Sequence, residues 1–262
     1  MPARVARLQL PRLSTGFRTC FAISCPKCAK SKRFDAVSQT MIVLALDTSG
    51  VDCSACIYDN ASDTVLGEVC ETIGKGHAER LMAVIDGALQ QAQLPLQKVE
   101  RIAVTIGPGS FTGIRVGVAA ARGFALSLGV EAVGVTTLET LALHHLAENP
   151  GRPVAVGLDA KRGETYLQIF GTDGSPLNEA ALLSLDDAKD ALSGFDGAVI
   201  GSAAPLFAGE ETGSGPDHFP IAFVARAGAR KSAGQPKPAP LYLRGPDARP
   251  QTGFALARQD VA

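Results

Sequence analysis

The sequence predicts an α/β protein built from two related units, each with a mixed sheet. Three observations carry this. Three strand-like runs follow one another directly after Met41, helical and strand patterns then alternate, and the opening pattern returns beyond residue 150. A chain of 262 residues is long enough for one large domain or two modest ones, and with no Trp its core must rest on Ala, Val, Leu and Ile.

In chain order, "MIVLALD", "CSACIYD" and "TVLGEVCETI" read as three strands joined by the turns "TSGVD" and "NASD". A helix is predicted over 76–93, where Ala78, Leu81, Met82, Ile85, Leu89 and Ala92 recur at helical spacing. "RIAVTIG" is the next strand, and a helix over 112–128 leaves the glycine turn "GPGSFTG". "EAVGVTT" and "LETLALHHLAE" add a strand and a helix, and "NPGRP" punctuates a boundary near 150.

Beyond that boundary, "LDAKRGETYLQIFGTDG" echoes "LDTSGVDCSACIYDNASD". At a constant offset of 112, Leu46 falls on Leu158, Asp47 on Asp159, Ala55 on Leu167 and Ile57 on Ile169, which predicts an internal duplication. "DDAKDALSG" (helix), "GAVIG" (strand), a weaker helix near 222–231 and the linker-like "GQPKPAP" complete the pattern. Three strands followed by alternating helices and strands, twice over, describe a pair of ribonuclease-H-like units, the architecture of the actin, Hsp70 and sugar-kinase superfamily. The expected division is a leader at 1–40, subdomains at 41–150 and 151–245, and a tail at 246–262.

Charge separates the leader from the body. Residues 1–40 hold eight Lys/Arg against Asp35 alone, so of the chain's 25 basic and 26 acidic residues the remainder keeps 17 and 25. The leader reads as a presequence, a basic tail or a start placed too early. The acidic body is a poor nucleic-acid surface, because backbone affinity comes largely from cations. No secretory core is visible, and the apolar stretch 116–135 carries Arg122, Glu131 and several glycines, which argues against a membrane span. Cys25/Cys28 and Cys53/Cys56 form two C-x-x-C pairs. The second lies in an extended run, where positions three apart face opposite ways, so a shared zinc is not expected. Reduced thiols in a cytoplasm are the plain expectation.

The glycine turn admits two readings. As a phosphate cradle, Gly107, Gly109 and Ser110 would offer amides at a helix start, facing Asp47, Thr48, Ser49 and Asp159 across a magnesium or nucleotide cleft. The spacing G-x-G-x-x-x-G is not the dinucleotide fingerprint, no G-K-[ST] follows, and Pro108 removes one donor. As a structural turn, it delivers a helix on which Gly113, Gly117, Ala121 and Ala125 recur every fourth residue, a ridge that lets another backbone come close. Two glycines there lower helix propensity by about 1 kcal/mol each, which close packing must offset. Surplus apolar residues on this helix and on 77–92 predict a helix–helix docking face. Arg115, in the first helical turn, is expected to meet a carboxylate or a phosphate unless it is simply solvated. His77 reads as a helix-start residue, since neither H-E-x-x-H nor H-x-x-x-H occurs. No catalytic nucleophile set can be assembled by spacing, and no metal ligands are assigned.

"LALDTS", "GHAERLMAVID", "TIGPGSFTGIRVGVAAARGFAL", "GLDAKRGETY" and "PLYLR", in this order over 41–245, resemble the bacterial TsaB family, also called YeaZ. The leader and 205–238 depart from its pattern. The resemblance implies a paralogue of TsaD/Kae1 without the metal-binding H-x-x-x-H. It also implies a role in making threonylcarbamoyladenosine in tRNA, with TsaD carrying the transfer chemistry. The chain would then be a non-catalytic dimerisation subunit and not a protease. Its partners would be TsaD, through helices matching 77–92 and 112–128 in a four-helix bundle, and TsaE, with tRNA met only through the complex. Residues His77, Leu81, Ile85, Gly113, Arg115, Gly117 and Ala121 are the expected interface. A homodimer through the same helices is compatible with that symmetry. ATP or ADP and magnesium would belong to the complex. The other reading is a nucleotide-dependent ATPase or phosphotransferase of the actin-like superfamily.

Overall fold

The computed structural model describes residues 41–245. The C-x-x-C pair Cys25/Cys28, the basic leader and the tail 246–262 lie outside them. The first sheet is formed by β1 (Ile42–Asp47), β2 (Asp52–Asp59), β3 (Thr64–Thr72), β4 (Arg101–Thr105) and β5 (Glu131–Val135), in the order β3-β2-β1-β4-β5. The first three strands pair antiparallel, and β4 and β5 join parallel. Between them run α1 (His77–Ala92), a 3₁₀ turn at Leu96–Lys98 and α2 (Phe111–Leu128), with α3 (Thr137–Glu148) following β5. The second sheet repeats the plan, with β6 (Val154–Lys161), β7 (Glu164–Phe170), β8 (Ala181–Ser184) and β9 (Ala198–Ile200) in the order β8-β7-β6-β9. Helices α4 (Leu185–Ala191), α5 (Ala204–Phe207) and α6 (Ala222–Arg230) complete the chain. Two ribonuclease-H-like mixed sheets are thus present.

The unbroken apolar run of β1 follows from cover on both faces. Leu44 and Leu46 pack with Leu81, Val84, Ile85, Ile114 and Val118 of α1 and α2, while Val43 and Ala45 pack with Val224, Ala225 and Ala227 of α6. Cys53 and Cys56 fall on opposite sides of the sheet, in different core clusters, as the extended pattern requires.

The boundary at 150 does not divide the packing. Helix α6, from the far end of the chain, covers the first sheet so closely that a Cβ on Gly228 would stand 2.3 Å from Ala103 Cβ. The buried Arg101 on β4 ties it down by donating from Nη1 to the Gly228, Ala229 and Lys231 carbonyls and from Nη2 to Glu131. Helix α3 in turn packs on the second sheet, with Leu138, Leu141, Ala142 and Leu146 against Val154, Val156 and Phe170.

The duplication is present, but its offset is not constant. On the α1 side Leu46 pairs with Ala55; on the equivalent α4 side Gly157 pairs with Leu167. The offset of 112 therefore holds for β2 and β7, whereas β1 and β6 are related by 111. A one-residue slip in a strand exchanges its faces. Asp47 corresponds to Leu158, and Asp159 sits one position further on, so the two aspartates are not counterparts.

Candidate functional site

Where the first strand ends, the chain folds a tight turn that α2 rests on. Asp47 is buried, and its Oδ1 accepts from Ser49 N (2.9 Å), Ser49 Oγ (2.7 Å) and Thr105 Oγ1 (2.5 Å). Burial pushes its carboxyl above the ordinary aspartate value, against the pull of these hydrogen bonds. The 107–113 loop lies directly on this turn. Ser110 N donates to Ser49 O at 2.6 Å, and a Cβ on Gly109 would stand 2.3 Å from that same oxygen. Thr48 Oγ1 donates to Gly113 O at 2.7 Å, and Ser110 Oγ caps α2 by accepting from Gly113 N. Thr137 N donates to the Gly107 carbonyl. Of the donors proposed for phosphate, Ser110 N and Thr48 Oγ1 are thereby engaged by the protein's own carbonyls.

The cleft between the sheets, lined by Ser49, Gly109, Thr137, Asp159, Ser202 and Asp217 among others, has a volume of about 150 Å³. Ligand pockets span roughly 300–1,000 Å³. Asp159 does face it, bonded to Lys161 Nζ at 2.6 Å, but Asp47 is turned inward upon Ser49 and Thr105. The structure thus brings 47–49 and 107–110 together as a packing contact, and a larger cavity of about 670 Å³ adjoins the cleft, sharing Pro108, Gly109 and Tyr166 with it and reaching Arg115, Tyr242 and Arg244.

The small-residue ridge is also spent inside the protomer. A Cβ on Gly113 would lie 2.0 Å from Thr48 O, one on Gly117 2.5 Å from Thr48 Oγ1, and Ala121 is fully buried. Leu81 and Ile85 belong to the core of the first sheet. His77 is buried with Nε2 3.1 Å from Asp52 O. These six residues do not form an exposed partner surface, because the sheet's own turn requires the close approach that the glycines permit. Arg115, the seventh, is exposed, and within the protomer it meets aromatic side chains. Its guanidinium carbon lies 3.7 Å from the Phe111 ring centroid, and its Nε donates to Tyr242 Oη at 2.7 Å.

What α1 and α2 do expose is a different strip. Looking down α2, the side away from the sheet carries Thr112, Ala119, Gly123 and Ser127, all exposed, and a Cβ on Gly123 would meet nothing within 4 Å. On one flank, half-buried Val116, Ala120 and Phe124 lead into a groove of about 520 Å³ shared with Met82, Leu89 and Leu94. On the other flank stand Phe111, Arg115, Arg122 and Leu126. Among the described residues five large hydrophobic side chains stand exposed. Four of them, Met82, Phe111, Leu126 and Tyr242, lie on α1, on α2 or stacked against α2. Helix α2 is long and apolar enough to cross a membrane by length and composition, a consequence of having one face for the sheet and another left outside. Sequence reasoning found the two helices and missed the strip, whose signal is the second set of small residues, Ala119 and Gly123.

Comparison with known proteins agrees with this architecture. The family model described as "TsaD: tRNA N6-adenosine threonylcarbamoyltransferase" matches residues 59–205. TsaB of Escherichia coli K12, a tRNA threonylcarbamoyladenosine biosynthesis protein, is 32% identical over 133 residues, covering 51% of this chain and 56% of that one. The chain thus spans little more than half the length of that curated relative. An uncharacterised protein of Mycobacterium tuberculosis H37Rv is 34% identical over 220 residues, covering 81% and 96%. Among solved structures, YeaZ from Pseudomonas aeruginosa superposes with a TM-score of 0.51 at 30% identity, covering 56% of this chain and 68% of that one. With a TsaD-type match over more than half its length, and TsaB and YeaZ relatives in sequence and structure, the chain belongs to the TsaB (YeaZ) family.

Proposed function

We propose that this chain is the non-catalytic dimerisation subunit of the machinery that forms N6-threonylcarbamoyladenosine in tRNA, and that it binds and activates TsaD through the outer faces of α1 and α2. The observation that carries the reading is the clustering of exposed apolar side chains on these two helices around the bare ridge of Ala119 and Gly123. A second pair of helices can approach closely along that ridge, with Met82, Leu89 and Phe124 covering the groove beside it. TsaE is the further partner in this reading, tRNA is met through the complex, and the setting is the cytoplasm. A requirement for ATP or ADP and magnesium is assigned to the complex. The alternative, a nucleotide-dependent ATPase or phosphotransferase, is disfavoured by the inward turn of Asp47 upon Ser49 and Thr105.

The test is titration of the purified chain with TsaD from the same genome, comparing wild type with a variant carrying Met82→Glu and Phe124→Glu. Burying two carboxylates in an apolar groove should weaken association about 100-fold or more, with the melting temperature nearly unchanged because Met82 is half exposed and Phe124 partly so. Threonylcarbamoyladenosine in tRNA should fall in parallel in cells relying on the variant. Equal affinity of both proteins, or ATP turnover by the chain alone, would overturn the reading.

A further inference from the structure

We propose that the flank of α2 bearing Arg115 and Arg122 is a cationic rim that receives two carboxylates from the protein docked on the α1/α2 face. The proposal rests on that docking reading and adds the chemistry that fixes the partner's register.

The two arginines are seven residues apart, about 10.5 Å along the helix and nearly in line. Arg115 is held flat. Phe111 lies beneath its guanidinium at 3.7 Å, Tyr242 contributes a second ring at 5.6 Å, and the Tyr242 hydroxyl oxygen accepts a hydrogen bond from Nε. Stacking and one hydrogen bond orient the group while leaving the Nη fork without an acceptor among the described residues. That fork matches a carboxylate in two-point contact. Arg122 has no hydrogen-bond or ion-pair partner among the described residues. It opens into a groove of about 560 Å³ with Leu126 and Lys237. The carboxylate in that groove, Glu131, is already committed, with Oε2 on Arg101 and Oε1 accepting from Gly234 N and Gln235 N. At the other end, Arg244 is paired with Glu164. The rim is therefore an excess of positive charge on a body whose residues after 40 hold 17 basic against 25 acidic side chains.

Apolar bodies stand at both ends of the rim. Phe111 is 57% and Leu126 85% exposed. Once covered by a partner they would exclude water from the ion pairs and strengthen them. Discrete carboxylates on a docked helix, spaced by two turns, suit two guanidinium groups at this separation. The acidic remainder of the surface would repel the continuous charge of a nucleic-acid backbone.

The experiment measures affinity for TsaD at about 50 and 500 mM salt for wild type, Arg115→Glu with Arg122→Glu, and Arg115→Lys with Arg122→Lys. Reversing both charges should weaken binding at least about tenfold at the lower salt, with the gap narrowing as screening grows. The lysine pair should keep the salt dependence and lose part of the affinity, as a point charge replaces a fork. All three should melt alike, since both side chains lie outside the core. If wild type binds TsaD and the reversed pair binds equally at both salts, the rim proposal falls and the docking reading stands. If the reversed pair binds TsaD normally but the assembled complex loses tRNA, the arginines serve RNA and the proposal is overturned. Wild type that fails to bind TsaD removes the docking reading and the rim with it.

Discussion

The inner and outer faces of α2 are both lined with small residues, and the reasons differ. On the inner face Gly113, Gly117 and Ala121 let the helix sit on the turn after β1, so closely that a methyl group at Gly113 would overlap the Thr48 carbonyl. On the outer face Ala119 and Gly123 are exposed and a Cβ on Gly123 would meet nothing within 4 Å, although an exposed glycine inside a helix is unfavourable by about 1 kcal/mol relative to alanine. The inner glycines are explained by the fold. The outer one has no such explanation in the fold, and the proposed docking of a partner helix would supply one. A small side chain on a helix reports close approach without saying to what, and the neighbours decide.

The sharpest way to break this contrast is Gly113→Ala. Its Cβ would lie 2.0 Å from Thr48 O and 3.2 Å from Thr48 C, both backbone atoms that no rotamer change can move. The turn must shift, pulling at Asp47 and at the Ser110–Ser49 hydrogen bond. Urea unfolding should show a loss of about 3 kcal/mol or more, and TsaD binding should fail only through unfolding. A near-neutral result would mean that α2 does not rest on this turn.

Asp47 tests the same junction at the next level down. Asp47→Ala would orphan Ser49 N, Ser49 Oγ and Thr105 Oγ1, with an expected loss of about 2–4 kcal/mol. Asp47→Asn keeps an acceptor oxygen for all three and should stay within about 1 kcal/mol of wild type at neutral pH. The pH dependence has a definite sign. Burial raises the folded value above the unfolded one, so the group's stabilising share is complete below its ordinary pKa and is lost as pH rises through the folded value. Wild type should therefore gain on the Asn variant as pH falls from 7 toward about 4, seen as converging or crossing melting temperatures. A magnesium ligand would behave otherwise, and Asp47→Asn would then abolish tRNA modification while leaving stability intact.

Much of this fold was legible because burial writes long apolar runs. Strands β1 to β3 and helices α1 to α3 fall within a residue of where periodicity puts them, while β4 and β5 end two residues short of the runs "RIAVTIG" and "EAVGVTT". Strand β8 was not legible, since "ALLS" runs straight into the helix at Leu185 without turn punctuation, and α5 is a single turn around Pro205. The slip between Asp47 and Asp159 was hidden because two Leu-Asp pairs align perfectly as letters while their strands present opposite faces. The return of α6 to the first sheet is a tertiary choice, fixed by Arg101 and by the closeness of Gly228 to Ala103. At the site, periodicity located both helices but singled out on α2 the face that the sheet covers. The Gly113, Gly117, Ala121 series is the more regular in the sequence because the sheet constrains it at every turn.

The smallest expected effect separates the two faces most cleanly. Gly123→Ala adds a methyl group to open space on a helix interior, so the isolated chain should gain about 1 kcal/mol from propensity. That corresponds to a melting temperature higher by about 2–4 °C for a domain of this size. If the outer ridge meets a partner helix, the same methyl must push that helix away, and TsaD affinity should fall while stability rises. Gly123→Leu should enlarge the loss of affinity at little further cost to the fold. A rise in stability with unchanged affinity for both variants would show that the partner lies elsewhere. Opposite signs for folding and binding at one position cannot come from damage to the protomer. They arise only where the helix was left imperfect on the side that faces out.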